Sequence, residues 1–138
     1  MNAGARTMSS AVSPSKGILW TGRVLSALPV LVLLLSASFK LAHPPQVVQS
    51  FSGQFGYPAR LLLPLAVIEI SCVLLYVIPR TAVLGAVLAT GYLGGAIATH
   101  VRVEDPGFVV ALALGVFVWA GLYLRDPRLR ELLPLRRP

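Results

Sequence analysis

The chain has 138 residues, of which 56% are hydrophobic and only 12% charged, about half the roughly 25% charged fraction of soluble domains. Its mean hydropathy of +0.77 excludes a largely disordered chain, since such chains are polar and charged, and a soluble globule, whose surface would be one broad apolar patch. The net charge of +7 raises nucleic acid as a partner, but the cations sit at chain ends and between apolar runs, where juxtamembrane Lys and Arg belong, so no nucleic acid is expected.

Residues 1–17 are rich in Ala, Ser, Gly and Pro and read as a disordered tail, with Met8 as an alternative start. A hydrocarbon core about 30 Å thick takes roughly 20 apolar residues per helix. Four stretches meet that need, at about 18–39, 59–78, 81–99 and 108–124. The first ends in Ser36-Ala37-Ser38, which resembles a signal-peptide cleavage site, but its apolar run exceeds the roughly 7–15 residues of a signal peptide and reads as a retained helix. In the loop that follows, Pro44-Pro45 precedes Val47, Val48, Phe51 and Phe55 at near-helical spacing. This predicts either a short helix lying in the outer interface or an ordinary loop. Only Pro79-Arg80 separates spans two and three, which must form a helical hairpin. A short polar loop, 100–107, joins spans three and four, and 126–138 reads as a basic cytoplasmic tail. The fold class is all-α: an integral membrane four-helix bundle over 18–125, with the bilayer as its first partner.

Four spans place both termini on one side, together with the Pro79-Arg80 turn. That side carries Arg6, Lys16, Arg23, Arg80, Arg125, Arg128, Arg130, Arg136 and Arg137, against Lys40, Arg60 and Arg102 on the other. The positive-inside rule makes the richer side cytoplasmic. Trp20, Tyr76, Trp119 and Tyr123 then fall near the same interface, as an aromatic belt does. The expected location is a cellular membrane, crossed four times, with both termini in the cytoplasm.

Glu69 is the most informative residue, eleventh in its 20-residue span. An ionisable group at that depth is costly and is read as functional by default. Desolvation favours its neutral form, which could donate a hydrogen bond to Thr90, to Tyr92, or to a carbonyl freed by Pro29 or Pro64. Cys72 and Tyr76 share its helical face. Either Glu69 fixes the bundle, or it is a proton-, quinone- or ligand-linked site. Lys40 ends the first span, where a helix C-terminus favours a cation. With His100 and Arg102 it could instead form an outer mouth that attracts an anion or a quinone carbonyl. The candidate ligand or proton site is therefore Glu69, Lys40, His100 and Tyr92. His43 and His100 lie at outer helix ends and not at the depth a bis-histidine haem would need.

Gly85, Gly91, Gly94 and Gly95 in the third span and Gly115 in the fourth have the spacing of small residues that let membrane helices approach closely, and packing within the bundle is the expected role. Cys72 is the only cysteine, which excludes an intrachain disulfide and a cysteine zinc site. No metal-ligand cluster, paired carboxylate or Ser-His-Asp set falls among the expected buried positions. The reading therefore leans away from an enzyme and assigns no metal and no cofactor, with quinone left open.

The stretches Ile68-Glu69-Ile70, Ile78-Pro79-Arg80-Thr81-Ala82-Val83-Leu84-Gly85 and Gly91-Tyr92-Leu93-Gly94-Gly95-Ala96-Ile97-Ala98-Thr99-His100, with Phe39-Lys40-Leu41 and Phe55-Gly56-Tyr57-Pro58, resemble the DoxX-like family of small bacterial membrane proteins. The resemblance covers roughly 18–125. It implies a four-helix bundle in the cytoplasmic membrane. Among DoxX and DoxD relatives, some are subunits of thiosulfate:quinone oxidoreductases or associate with redox partners, while DoxX-like members mostly carry no assigned activity. The resemblance therefore implies an accessory, non-enzymatic subunit of a quinone-linked redox system, with a redox protein or a second copy as partner. The alternative is a small-molecule binding or transport protein with Glu69 as its proton-linked site. A shared fold does not by itself transfer a reaction.

Overall fold

In the computed structural model, which describes residues 15–132, the chain is helical with no strand among the described residues. The elements are α1 (Lys16–Ala42), α2 (Pro45–Gln49), α3 (Leu62–Val77), α4 (Ala82–Arg102), α5 (Phe108–Arg125) and α6 (Pro127–Leu132). A π-helical turn, Ser50–Gln54, continues α2, and a 3-10 turn, Ala59–Leu61, leads into α3. The helices of Lys16–Ala42, Ala59–Val77, Ala82–Arg102 and Phe108–Arg125 are long and apolar enough to cross a membrane. Met8 and most of the expected N-terminal tail lie outside the described residues, as do residues 133–138.

The helix ends follow from local chemistry. Ser15 caps α1, its hydroxyl accepting from the Ile18 N–H, so the helix begins at Lys16, earlier than the apolar run alone suggests. At the other end His43 turns left-handed, with φ 50°, and its N–H closes onto the Phe39 carbonyl. Pro29 lies within α1 and is buried. In the first loop the short helix forms, with Pro45 in its first turn. Residues 127–132, expected as tail, form α6, whose Leu129 is buried beside Tyr76, Ala82, Ala86, Val118 and Leu122.

Four helices pack in the cyclic order α1–α3–α4–α5, each against two neighbours, with α5 closing back onto α1. Their buried residues recur at steps of three or four: Ser26, Pro29, Leu33 and Ala37 on α1; Leu62, Ala66, Glu69, Val73 and Tyr76 on α3; Ala82, Ala86, Ala89 and Leu93 on α4; Ala111, Leu114, Val118 and Leu122 on α5. This is the spacing of an interdigitated coiled-coil seam. The outward side chains are apolar too, with Leu31 63% exposed, an arrangement that suits lipid and not water.

The seam decides which glycines pack. A Cβ on Gly85 would stand 2.2 Å from the Tyr76 backbone nitrogen, so α3 and α4 touch backbone to backbone there. Gly115 makes an ordinary contact, with Leu93 Cδ1 3.9 Å from its Cβ position. Gly91, Gly94 and Gly95 have nothing within 4 Å of theirs. These three were expected to pack inside the bundle and instead face outward, because the α4 seam runs through Ala82, Ala86, Ala89 and Leu93 on the other side of the helix. The close α1–α5 approach uses Gly22 and Gly121: a Cβ on Gly121 would meet the Ser26 nitrogen at 2.7 Å.

Candidate functional site

Glu69 occupies a seam position of α3 and is 1% exposed. Its partner is Lys40, whose Nζ lies 2.9 Å from Oε2 and also donates to Ser36 Oγ one turn below on α1. The Tyr92 ring, on α4, lies beneath the ammonium at 6.0 Å from centroid to Nζ, and the Tyr92 hydroxyl is in the field of the carboxylate. Three helices therefore meet at one charge pair.

Helix geometry explains how a residue near the end of α1 reaches a carboxyl deep in α3. The Cα–Cβ bond of a helical residue leans toward the helix N-terminus, so a long side chain covers the preceding turn. Lys40 points back into the membrane over Ser36, and its side chain is only 16% exposed. The residue read as a C-terminal cation of its helix thus carries its ammonium one turn back, to Glu69. Thr90, one of the partners weighed for Glu69, is turned outward, where its hydroxyl donates to the Ala86 carbonyl and accepts from Trp119 Nε1 at 2.8 Å.

The end of the bundle where α4 ends and α5 begins forms a separate cluster. His100 Nδ1 hydrogen-bonds Asp105 Oδ2, the same oxygen accepts from the Gly107 N–H at 3.0 Å, and Gln54 Nε2 donates to Oδ1. The His100 hydrogen bond, reinforced by the Gly107 N–H, holds the Asp105 carboxyl below its ordinary range. Phe55 packs edge-on against the His100 ring, Arg102 lies over the Tyr57 ring and donates to the Phe55 carbonyl, and Tyr57 shares a hydrogen bond with Thr99 Oγ1. Lys40, His100 and Arg102, the residues of the alternative anion-attracting mouth, each have a protein partner. The structure brings Lys40, Glu69 and Tyr92 together and gives His100 to the loop cluster.

A third polar knot lies toward the end where α1 begins and α5 ends. The Tyr76 hydroxyl donates to the Val118 carbonyl at 2.8 Å and shares a hydrogen bond with Ser26 Oγ at 3.0 Å. Arg125 lies over the same ring, 4.7 Å from its centroid, and donates to the Tyr76 carbonyl. Ser36, Ser26 and Asp105 were not singled out from sequence. For Ser36 the signal was available: it precedes Lys40 by one helical turn.

Between Pro29, Leu33, Cys72 and Tyr76 lies an internal void of about 10 Å³, at or below what one water occupies. Among the described residues no group of three or more His, Cys, Asp or Glu could hold a metal ion.

No curated protein and no solved structure matches the chain. The model of the DoxX-like family matches residues 24–121, a stretch that takes in Lys40, Glu69 and Tyr92, the second and third membrane-crossing helices whole and most of the first and fourth. The chain is a multi-pass membrane protein and belongs to the DoxX-like family.

Proposed function

We propose that this protein is an accessory, non-enzymatic subunit of a quinone-linked redox system in the bacterial cytoplasmic membrane, with both termini on the cytoplasmic side. The observation that carries the accessory role is the closed pair of Lys40 and Glu69. The one acidic residue within the four spans is met by an ammonium at 2.9 Å and joins α1 to α3, where an open binding site would leave it facing a cavity. A buried pair of this kind contributes little net stability against well-packed apolar residues, and its best-attested use is to fix register and specificity. The quinone-linked setting rests on the family resemblance. The orientation rests on the excess of Lys and Arg at the end where α1 begins and α5 ends.

Native mass spectrometry of the full chain, gently extracted from its own membrane, tests the reading. Co-purifying redox subunits are expected. Turnover of a small substrate by the isolated chain, abolished in Glu69→Gln, would overturn it in favour of an enzyme. Solute flux into proteoliposomes that requires Glu69 would overturn it in favour of the small-molecule carrier.

A further inference from the structure

The outward face of α4 and α5 carries a groove of about 750 Å³, lined by Thr90, Gly94, Ile97, Gly115, Trp119 and Tyr123 among others and almost wholly apolar. That volume is within the range of roughly 300–1,000 Å³ in which small-molecule sites fall. Gly94 forms part of its floor with open space at its Cβ position. Along α5 the groove extends from Ala111 to Tyr123, about 18 Å at 1.5 Å per residue. It ends two residues short of the α5 C-terminus and three residues from the start of that helix. The acyl chain of a lipid can lie along an apolar groove of this length.

Charge marks the end from which that chain would come. Arg130 of α6 donates from Nε to the Tyr123 carbonyl at 2.9 Å, and its guanidinium also donates to the Leu124 carbonyl. Tyr123 is the last residue of the groove, so the cation stands at its mouth. A guanidinium has five donors, and these two contacts leave others for a phosphate oxygen. The buried Leu129 joins Tyr76 of α3, Ala82 and Ala86 of α4 and Val118 and Leu122 of α5 in one core cluster, which anchors α6 at this end of the bundle. Among the described residues this end of the bundle holds Lys16, Arg23, Arg80, Arg125, Arg128 and Arg130 against Asp126 and Glu131.

We infer that the α4–α5 groove binds one anionic phospholipid of the leaflet at the α5–α6 end, its acyl chain lying in the groove and its phosphate on Arg130. This site is independent of the redox reading and of the Lys40–Glu69 pair.

The test is native mass spectrometry of the full chain in detergent with equal amounts of phosphatidylglycerol and phosphatidylcholine bearing the same acyl chains. One phosphatidylglycerol per chain is expected, preferred by about fivefold, the effect of one Lys or Arg near an anionic headgroup. Arg130→Gln should equalise the two lipids, Arg130→Lys should keep most of the preference, and Gly94→Leu, which fills the groove, should lower retention of both. Equal retention by the unmodified chain would overturn the inference, as would insensitivity to Gly94→Leu. A doubled protein mass lost in Gly94→Leu would give the groove to a second copy instead. A second measurement needs no groove variant. In Trp20→Phe, which leaves Trp119 as the only tryptophan, brominated phosphatidylglycerol should quench fluorescence more than brominated phosphatidylcholine, and equal quenching would again refute the site.

Discussion

Removing either partner of the Lys40–Glu69 pair should cost far more than removing both. At 2.9 Å the attraction between the two charges is about 6 kcal/mol gross for an effective dielectric of about 20. Desolvation of two ions, several kcal/mol each, offsets most of this, so the pair is close to neutral against an apolar replacement of similar volume. Lys40→Met leaves the carboxyl of Glu69 alone in a site where it is 1% exposed, and Glu69→Leu leaves the ammonium without its counter-charge. Each single change is expected to destabilise by about 3–5 kcal/mol, and the double variant to lie within about 1–2 kcal/mol of the original or above it. The assay is reversible unfolding in mixed micelles of dodecyl maltoside and sodium dodecyl sulfate, run as a double-mutant cycle. Additive costs, or single variants within about 1 kcal/mol of the parent, would refute a coupled pair.

Other outcomes follow from the close contacts and the loop. Gly85→Ala pushes a methyl group against the Tyr76 backbone and should destabilise by about 1–3 kcal/mol in the same unfolding assay, whereas Gly91→Ala, in open space, should be silent. Tyr76→Phe removes the hydroxyl that engages Ser26 and Val118 and should cost about 1 kcal/mol; no change would mean that the knot is dispensable. The Asp105 carboxyl is held below its ordinary value of 3.8. Its contribution to the outer loop is therefore complete above that value and is lost only as pH falls through the lower folded value. The Gly107 amide resonance should report an inflection below pH 3.8, absent in Asp105→Asn; an inflection at or above 3.8 would contradict the assigned contacts. Cysteines introduced at Ser15 and Arg80 in a Cys72→Ser background should both be shielded from an impermeant maleimide in intact cells and one at Gly53 labelled, and the reverse pattern would invert the topology.

The apolar runs made the four spans legible because lipid imposes a length and forbids charge, and that constraint acts on sequence directly. Glycine spacing was less informative: a four-residue step names a helix face without saying which face meets a neighbour, and the α4 seam proved to be built of alanines with Gly91, Gly94 and Gly95 opposite. Glu69 stood out as a lone carboxyl at depth, but its partner did not. Thr90 and Tyr92 were the side chains weighed for it and Lys40 was not, because sequence position alone hides the reach of a side chain that leans one turn toward its helix N-terminus. α6 went unseen because six residues with one buried leucine carry no periodicity. The outer cluster of Gln54, Asp105 and His100 joins loops distant in sequence, and no local pattern foretells it.

The cyclic order of the helices also sets a sequence of assembly. Ribosomal synthesis delivers α1 first, and its ring is closed only by α5, the last span to arrive. Lys40 and Glu69 belong to the first two spans, so the costliest charge entering the lipid finds its counter-ion as soon as α3 is inserted, before α4 and α5 exist. The contacts that need the finished bundle are of another kind: Ser26 awaits Val118 and Tyr76, and Gly22 awaits Gly121. Biogenesis thus neutralises charge early and leaves neutral, close-fitting contacts for last. A ribosome stalled after α3 would hold a hairpin already safe in the bilayer, while the seam between α1 and α5 would stay open until α5 is inserted.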